Sequence, residues 1–204
     1  MGNLHFIKGG LKQFNPRFLE WDTPKDRKVD GRTIKGRPTR GFGNREFEYA
    51  GKLMTPEPWN AHDEVHNILV EANRITQEYY EDFVSYNFCL VGLYRDGSEG
   101  IPFHSDTVPY PEDLVFSVSF GATRLFEWRE YESNIKDHSN TSTLNISRDA
   151  LGKSGYYYET KRWLLEHGDI ILFDGASQMN SEHAVPELLG QNQSRVNLTF
   201  RSGL

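Results

Sequence analysis

The chain has 204 residues, of which 37% are hydrophobic, 13% aromatic and 25% charged, with a formal net charge of −6. That is the length and composition of one folded domain with a sizeable core, and no apolar run approaches the ~18–20 residues a membrane span requires. A single cysteine, Cys89, excludes an internal disulfide. The N-terminus has no charged start followed by an apolar stretch, so the expectation is an intracellular monomer, in cytoplasm or nucleus, without a secretion signal or a membrane partner.

Charge is unevenly spread. Residues 1–52 hold 12 Lys+Arg against 6 Asp+Glu, whereas the remainder holds 11 against 23. Eight of the basic residues fall between Lys25 and Arg45. A basic arm on an acidic body suits an anionic partner such as nucleic acid, and it equally suits a solvated basic loop.

In chain order, residues 1–45 are rich in Gly, Pro and charge, and read mostly as loop with short strands. Phe47-Glu48-Tyr49 reads as a strand and Pro56 to Trp59 as a rigid turn. Asn60 is positioned to cap a helix from Ala61 to about Phe83, whose apolar residues Val65, Ile68, Leu69, Ala72, Ile75 and Tyr79 follow helical spacing. Phe88 to Tyr94 is an apolar run that turns through Asp96-Gly97 and Glu99-Gly100 into His104-Ser105-Asp106. Val115 to Phe120 and Arg124 to Trp128 read as strands around a turn at Gly121. Residues 130–161 read as a polar surface excursion, with His138 in it. Asp169 to Phe173 is another strand, Gly175 to Glu182 a loop of small and polar residues leading to His183, and Arg195 to Arg201 a final strand.

Alternate residues of an extended chain share a face, so His-x-Asp can aim an imidazole and a carboxylate at one metal. With 7 His and 29 Asp+Glu, chance supplies about one His-x-Asp/Glu triplet, and three are present. His62-Asp63-Glu64 falls on the helix, where residues two apart do not share a face. In His167-Gly168-Asp169 the glycine marks a turn. His104-Ser105-Asp106 remains, and a distant histidine such as His183 would complete a 2-His-1-carboxylate triad of the non-haem iron type. In the last strand, Val196, Leu198 and Phe200 alternate with Arg195, Asn197, Thr199 and Arg201. Two guanidiniums flanking an amide and a hydroxyl suit a small dicarboxylate, because Arg grips carboxylates in a bidentate fork.

These segments together resemble the AlkB family of Fe(II)- and 2-oxoglutarate-dependent dioxygenases, nearest to its eukaryotic DNA-dealkylating members. The resemblance runs from Arg37-Pro38 and Phe42-Gly43 through Tyr94-Arg95-Asp96-Gly97, His104-Ser105-Asp106, Ser117 to Ala122 and His183 to Pro186. It ends at Arg195 to Arg201. It implies a mainly β fold, a double-stranded β-helix (jelly-roll) core with a flanking long helix and an N-terminal lid. The expected organisation is one domain over 1–204, with a basic arm and nucleotide-recognition lid in 1–52 and the catalytic core in 86–204. The resemblance further implies Fe(II) held by His104, Asp106 and His183, 2-oxoglutarate held by Tyr94, Arg195, Asn197 and Arg201, and O2 as oxidant. The reaction implied is oxidative demethylation of N-alkylated bases in DNA or RNA, releasing succinate, CO2 and formaldehyde. Arg37 and Arg40 are then candidates for substrate phosphates, Phe42 for stacking on the base, and position 108 for reading it. The chain departs from the family in three places: Gly92 stands where Asn is usual, Val108 where the dealkylases carry an acid, and Ser181 where an aromatic residue is common. A protein side chain or small molecule oxidised by the same chemistry is the second expectation, and a non-catalytic nucleic-acid-binding module a remote third.

Overall fold

The computed structural model describes residues 3–16, 19–21, 24, 27–29, 32–34, 36–49, 52–106, 110–130, 160–179 and 181–203. The chain passes through β1 (Leu4–Ile7), β2 (Arg27–Val29), β3 (Arg32–Ile34), β4 (Thr39–Gly43), β5 (Phe47–Tyr49) and β6 (Lys52–Met54) before helix α1 (Asp63–Tyr79). It continues through β7 (Phe88–Tyr94), β8 (Ile101–His104), β9 (Leu114–Gly121), β10 (Arg124–Glu130), β11 (Lys161–Leu165) and β12 (Ile170–Asp174). A short helix α2 (Gly175–Met179), β13 (Ser181–Val185) and β14 (Arg195–Arg201) complete it.

Two antiparallel sheets dominate: a larger one in the order β1-β12-β9-β14-β7-β4 and a smaller one in the order β11-β10-β13-β8. Strands β7 to β14 are shared between the two sheets, four to each, as in a jelly roll that wraps two sheets around one interior. The N-terminal segment supplies both edges of the larger sheet, β1 against β12 and β4 against β7. Two separate hairpins, β2–β3 and β5–β6, lie outside both sheets.

The period-2 alternation of the strands sorts the interior into two layers. Cys89 and Val91 of β7, Phe116, Val118 and Phe120 of β9, Ile170 and Leu172 of β12, and Val196, Leu198 and Phe200 of β14 form one cluster. It packs on Val65, Ile68, Leu69, Ala72 and Ile75, the apolar stripe of α1. Between the sheets lies a second cluster that includes Val115, Phe126, Trp128, Ile171 and Phe173. Burying each such side chain contributes about 1.5–3 kcal/mol, so the register of β14 is fixed by its apolar face. Its polar face is thereby forced into the space between the sheets.

Three sequence expectations need correction. Asn60 does not cap α1: it lies in a 3-10 turn (Trp59–Ala61), and the helix starts after His62, which makes no side-chain cap. The helix stops at Tyr79, because Tyr80 turns to an extended backbone and its N–H donates to the Thr76 carbonyl. The expected loop from Gly175 to Glu182 is α2 followed by β13, and His183 is a buried mid-strand residue. The polar excursion, including His138, lies outside the described residues apart from its ends.

Candidate active site

His104 is the last residue of β8 and faces His183 as its cross-strand partner on β13. Trp128 of β10 pairs with His183 from the other side. The His183 ring stacks almost parallel to Trp128, at 8° and 5.9 Å between centroids, and lies at 24° and 5.5 Å from Phe126. This aromatic box fixes the plane of the imidazole and keeps it dry. The two imidazole centroids are 4.4 Å apart.

His104 Nδ1 lies 2.9 Å from the Pro102 carbonyl. A carbonyl can only accept, so Nδ1 carries the proton and Nε2 presents its lone pair, the arrangement a metal-binding histidine needs. The chain beyond His104 is held by two side-chain-to-backbone bonds. Ser105 Oγ donates to the Ser181 carbonyl at 2.7 Å, and the Asp106 N–H donates to Gln178 Oε1 at 2.8 Å. Asp106 Oδ1 is 3.8 Å from His104 Nε2, and Oδ2 is 4.0 Å from His183 Nε2. Ligand atoms of these three residues lie within 4.8 Å of one another, the one such group among the described residues.

Arg201 Nη2 donates to Asp106 Oδ1 at 2.9 Å. Burial alone would raise the Asp106 carboxyl. Arg201 and then the two histidines outweigh it and hold the group well below the usual carboxylate range. Asp106 therefore stands as an anion aimed between two imidazoles, a hard and intermediate donor set suited to a divalent first-row metal.

The polar face of β14 continues the site. Arg195 is buried, and its Nε and Nη2 donate to Ser119 Oγ at 3.2 and 2.8 Å while Nη2 also reaches Asn197 Oδ1. Asn197 Nδ2 donates to Thr199 Oγ1 at 2.9 Å and to Ser117 Oγ at 3.2 Å. Arg195 Nη1, buried, has no hydrogen-bond partner among the described residues, and neither do Arg201 Nε and Nη1. Burial pushes the Arg195 guanidinium down to about 10; Tyr94 opposes this, and the charges of Arg124 and Arg37 reinforce it. It stays protonated at neutral pH. Buried donors left unpaired cost free energy, and a carboxylate is the group that satisfies a guanidinium edge best. Tyr94, cross-strand partner of Arg195, is buried beside it with the guanidinium carbon 4.7 Å from the ring centroid.

His104, Asp106, His183, Tyr94, Arg195, Asn197 and Arg201 all line one cleft. The spatial order within it puts the His-Asp-His set and Arg201 together, with Tyr94 and Arg195 joined by their own register pair. These residues fit a divalent cation and a dicarboxylate side by side.

The candidates for substrate contact fare differently. Arg37 lines the cleft. Arg40 does not: its Nε donates to Glu57 Oε1 at 2.8 Å, its Nη2 pairs with Glu57 Oε2, and Nη1 reaches the Glu20 carbonyl. Phe42 is fully buried in the layer beneath α1, so it is a core aromatic and not a platform for a base. Val108 lies outside the described residues. Of the basic arm, residues 27–29 and 32–34 form the β2–β3 hairpin; Lys25 and Lys35 lie outside the described residues.

The other two His-x-Asp/Glu triplets take structural roles. His62 precedes α1, and His66 is on its exposed face. His167 Nδ1 accepts from the Gly121 N–H and Nε2 donates to the Lys12 carbonyl, both at 3.1 Å. Asp169 accepts from the Gly9 and Glu166 N–H groups at 2.7 and 2.8 Å. Gly168 sits at φ 82°, where a Cβ would lie 2.6 Å from the Lys12 nitrogen, so this turn requires glycine. Sequence reasoning missed Gln178, Ser119 and Arg124, since an isolated Gln, Ser or Arg in an ordinary segment carries no motif.

Residues 16–201 match the 2OG-Fe(II) oxygenase superfamily, and the chain belongs to that family. It is 31% identical over 170 residues to the Homo sapiens protein named alpha-ketoglutarate-dependent dioxygenase alkB homolog 3, covering 81% of this chain and 51% of that protein. It is 28% identical over 166 residues to the Mus musculus protein named DNA oxidative demethylase ALKBH2, covering 80% and 59%. The chain thus spans about half the length of these curated relatives. The solved structure of OsALKBH1 superposes with a TM-score of 0.54 at 17% identity, over 99% of this chain and 97% of that one, a likeness of fold.

Proposed function

We propose that this chain carries the catalytic domain of an Fe(II)- and 2-oxoglutarate-dependent dioxygenase that removes N-alkyl groups from bases in DNA or RNA, acting as a monomer inside the cell. In this reading residues 86–204 are the catalytic core and residues 1–52 the arm and lid that meet the nucleic acid. The observation that carries it is the presence in one cleft of a His-Asp-His set and a buried guanidinium whose Nη1 has no partner among the described residues.

His104, Asp106 and His183 would hold Fe(II), two imidazoles and one carboxylate being the donor set of non-haem iron oxygenases. Arg195, with Tyr94 and Asn197, anchors the far carboxylate of 2-oxoglutarate, and Arg201 supports both Asp106 and the near end. Fe(II) bound there would supply the coupled oxidation of 2-oxoglutarate and an N-methyl group by O2, with succinate, CO2, formaldehyde and the demethylated base as products. The protein's part is to keep Asp106 ionised through Arg201, to hold the His104 tautomer through the Pro102 carbonyl, and to exclude water from His183 with Trp128 and Phe126.

The nucleic-acid substrate is supported by the basic arm and by the relative named a DNA oxidative demethylase. A base must leave any stack to reach such a cleft. Position 108, two residues past Asp106, is the proposed base-reading position. Two observations favour a second reading, the same chemistry on a protein side chain or small molecule: Arg40 is tied to Glu57, and Phe42 is sealed in the core. Succinate production measured with and without a panel of methylated DNA and RNA oligonucleotides tests the proposal. Stimulation by a methylated strand supports it; succinate formed at an unstimulated rate with every oligonucleotide moves the substrate to the second class.

A further inference from the structure

Arg37 was grouped with the basic arm by its sequence neighbours, yet it lines the cleft. The Leu93 N–H donates to the Pro38 carbonyl at 2.9 Å, and Thr39 pairs with Gly92, which seats this segment on β7. The Arg37 guanidinium carbon is 4.2 Å from the centroid of the Tyr94 ring, nearer than Arg195 at 4.7 Å or Arg124 at 5.2 Å.

Gly92 lies beside this guanidinium. It shares the inward face of β7 with Leu90 and Tyr94 and lines the cleft. A Cβ at position 92 would point at Arg37, with Nη1 at 3.8 Å and Thr39 Cγ2 at 4.0 Å.

Charge is unbalanced here. Arg124 Nη1 and Nη2 donate to the carbonyls of Asp96, Glu99 and Pro186, while its buried Nε has no hydrogen-bond partner among the described residues. Arg37 forms no ion pair among the described residues, and Asp106, the one carboxylate lining the cleft, faces Arg201 instead. The Arg37 and Arg124 charges repel Arg195. Arg37, Arg124 and Arg195 gather around one tyrosine, and an anion with several acceptor oxygens suits such a set.

We propose that Arg37 is a second anchor for the distal carboxylate of 2-oxoglutarate, lying beside Gly92 and acting with Arg195 across Tyr94. This rests on the oxygenase reading above. It takes Arg37 out of the set of phosphate contacts and makes the N-terminal segment part of the co-substrate site, so that docking of β4 on β7 completes the pocket.

The test is titration calorimetry on protein loaded with Mn(II), with no nucleic acid and no turnover. Ligands are 2-oxoglutarate and 2-oxobutyrate, which keeps the keto acid and lacks the distal carboxylate. Arg37→Ala and Arg37→Gln should bind 2-oxoglutarate ~10-fold or more weakly, as for loss of a charge-assisted contact. Arg37→Lys should be intermediate, and adding Gly92→Asn to Arg37→Ala should restore part of the loss. All should bind 2-oxobutyrate like wild type. Unchanged 2-oxoglutarate binding in the Ala and Gln variants, with Arg195→Ala weakened, overturns the inference and leaves the oxygenase reading standing. Equal losses for both ligands also overturn it, because the contact would then not be to the distal carboxylate. Failure of the wild type to bind 2-oxoglutarate overturns the reading and the inference together.

Discussion

Arg195→Ala separates what the buried guanidinium does for the fold from what it does for the ligand. In the free protein Arg195 is held by Ser119 and Asn197, but Nη1 has no partner among the described residues. Its removal deletes hydrogen bonds worth about 0.5–1.5 kcal/mol each and also removes a buried charge, so the two effects oppose each other. The ligand effect has no such offset. Losing a charge-assisted pair costs about 1.5–3 kcal/mol, or roughly 10- to 100-fold in affinity. With Mn(II) present and 2-oxoglutarate at 100 times the wild-type Kd, ligand stabilisation is about 2.7 kcal/mol. A 30-fold weaker variant at the same concentration retains about 0.9 kcal/mol by the same relation. For a chain of this size each kcal/mol moves Tm by roughly 2–4 °C. The wild-type shift should therefore be about 5–10 °C and the variant's about 2–3 °C, read by differential scanning fluorimetry. Arg195→Lys should fall between them, because the ammonium keeps the charge and loses the fork. A full-sized shift in Arg195→Ala would refute the assignment.

His183→Ala and Asp106→Ala should abolish Mn(II) binding, whereas His62→Ala, His66→Ala and His167→Ala should bind as wild type; metal titration followed by electron paramagnetic resonance decides this. Gln178→Ala should weaken Mn(II) affinity about 10-fold while leaving all three ligands in place, since the Asp106 N–H loses the acceptor that orients the segment. Phe42→Ala should cost about 3–5 kcal/mol and lower Tm by roughly 6–20 °C, as for a core cavity. Partial unfolding aside, a Phe42 role at the base would show instead as lost oligonucleotide affinity at unchanged Tm.

What the sequence made legible was periodic or local. The alternation of β14 announced both its apolar and its cationic face, and the α1 stripe was readable because it packs on one sheet. His104 and Asp106 could be paired because two residues of extended chain share a face. The role of His183 was harder, since Gly175 to Glu182 has the small, polar composition of a loop; the cross-strand pairs to Trp128 and His104 make it a strand, and such pairs leave no local trace. Arg37 and Arg40 look alike in a basic run. Only the tertiary fold, through Glu57 and the pairing of β4 with β7, sends Arg40 to an ion pair and Arg37 to the cleft. Phe42 illustrates the same limit, because an aromatic residue reads identically whether it faces a ligand or the core.

The most direct test of the oxygenase account is a paired product assay. Wild-type protein with Fe(II), 2-oxoglutarate, O2 and an N-methylated oligonucleotide should yield succinate and formaldehyde in equal amounts, and His183→Ala should yield neither. Formaldehyde absent while succinate accumulates at the same rate with and without every methylated strand would contradict base demethylation. No succinate from metal-loaded wild type under any condition would contradict the oxygenase itself.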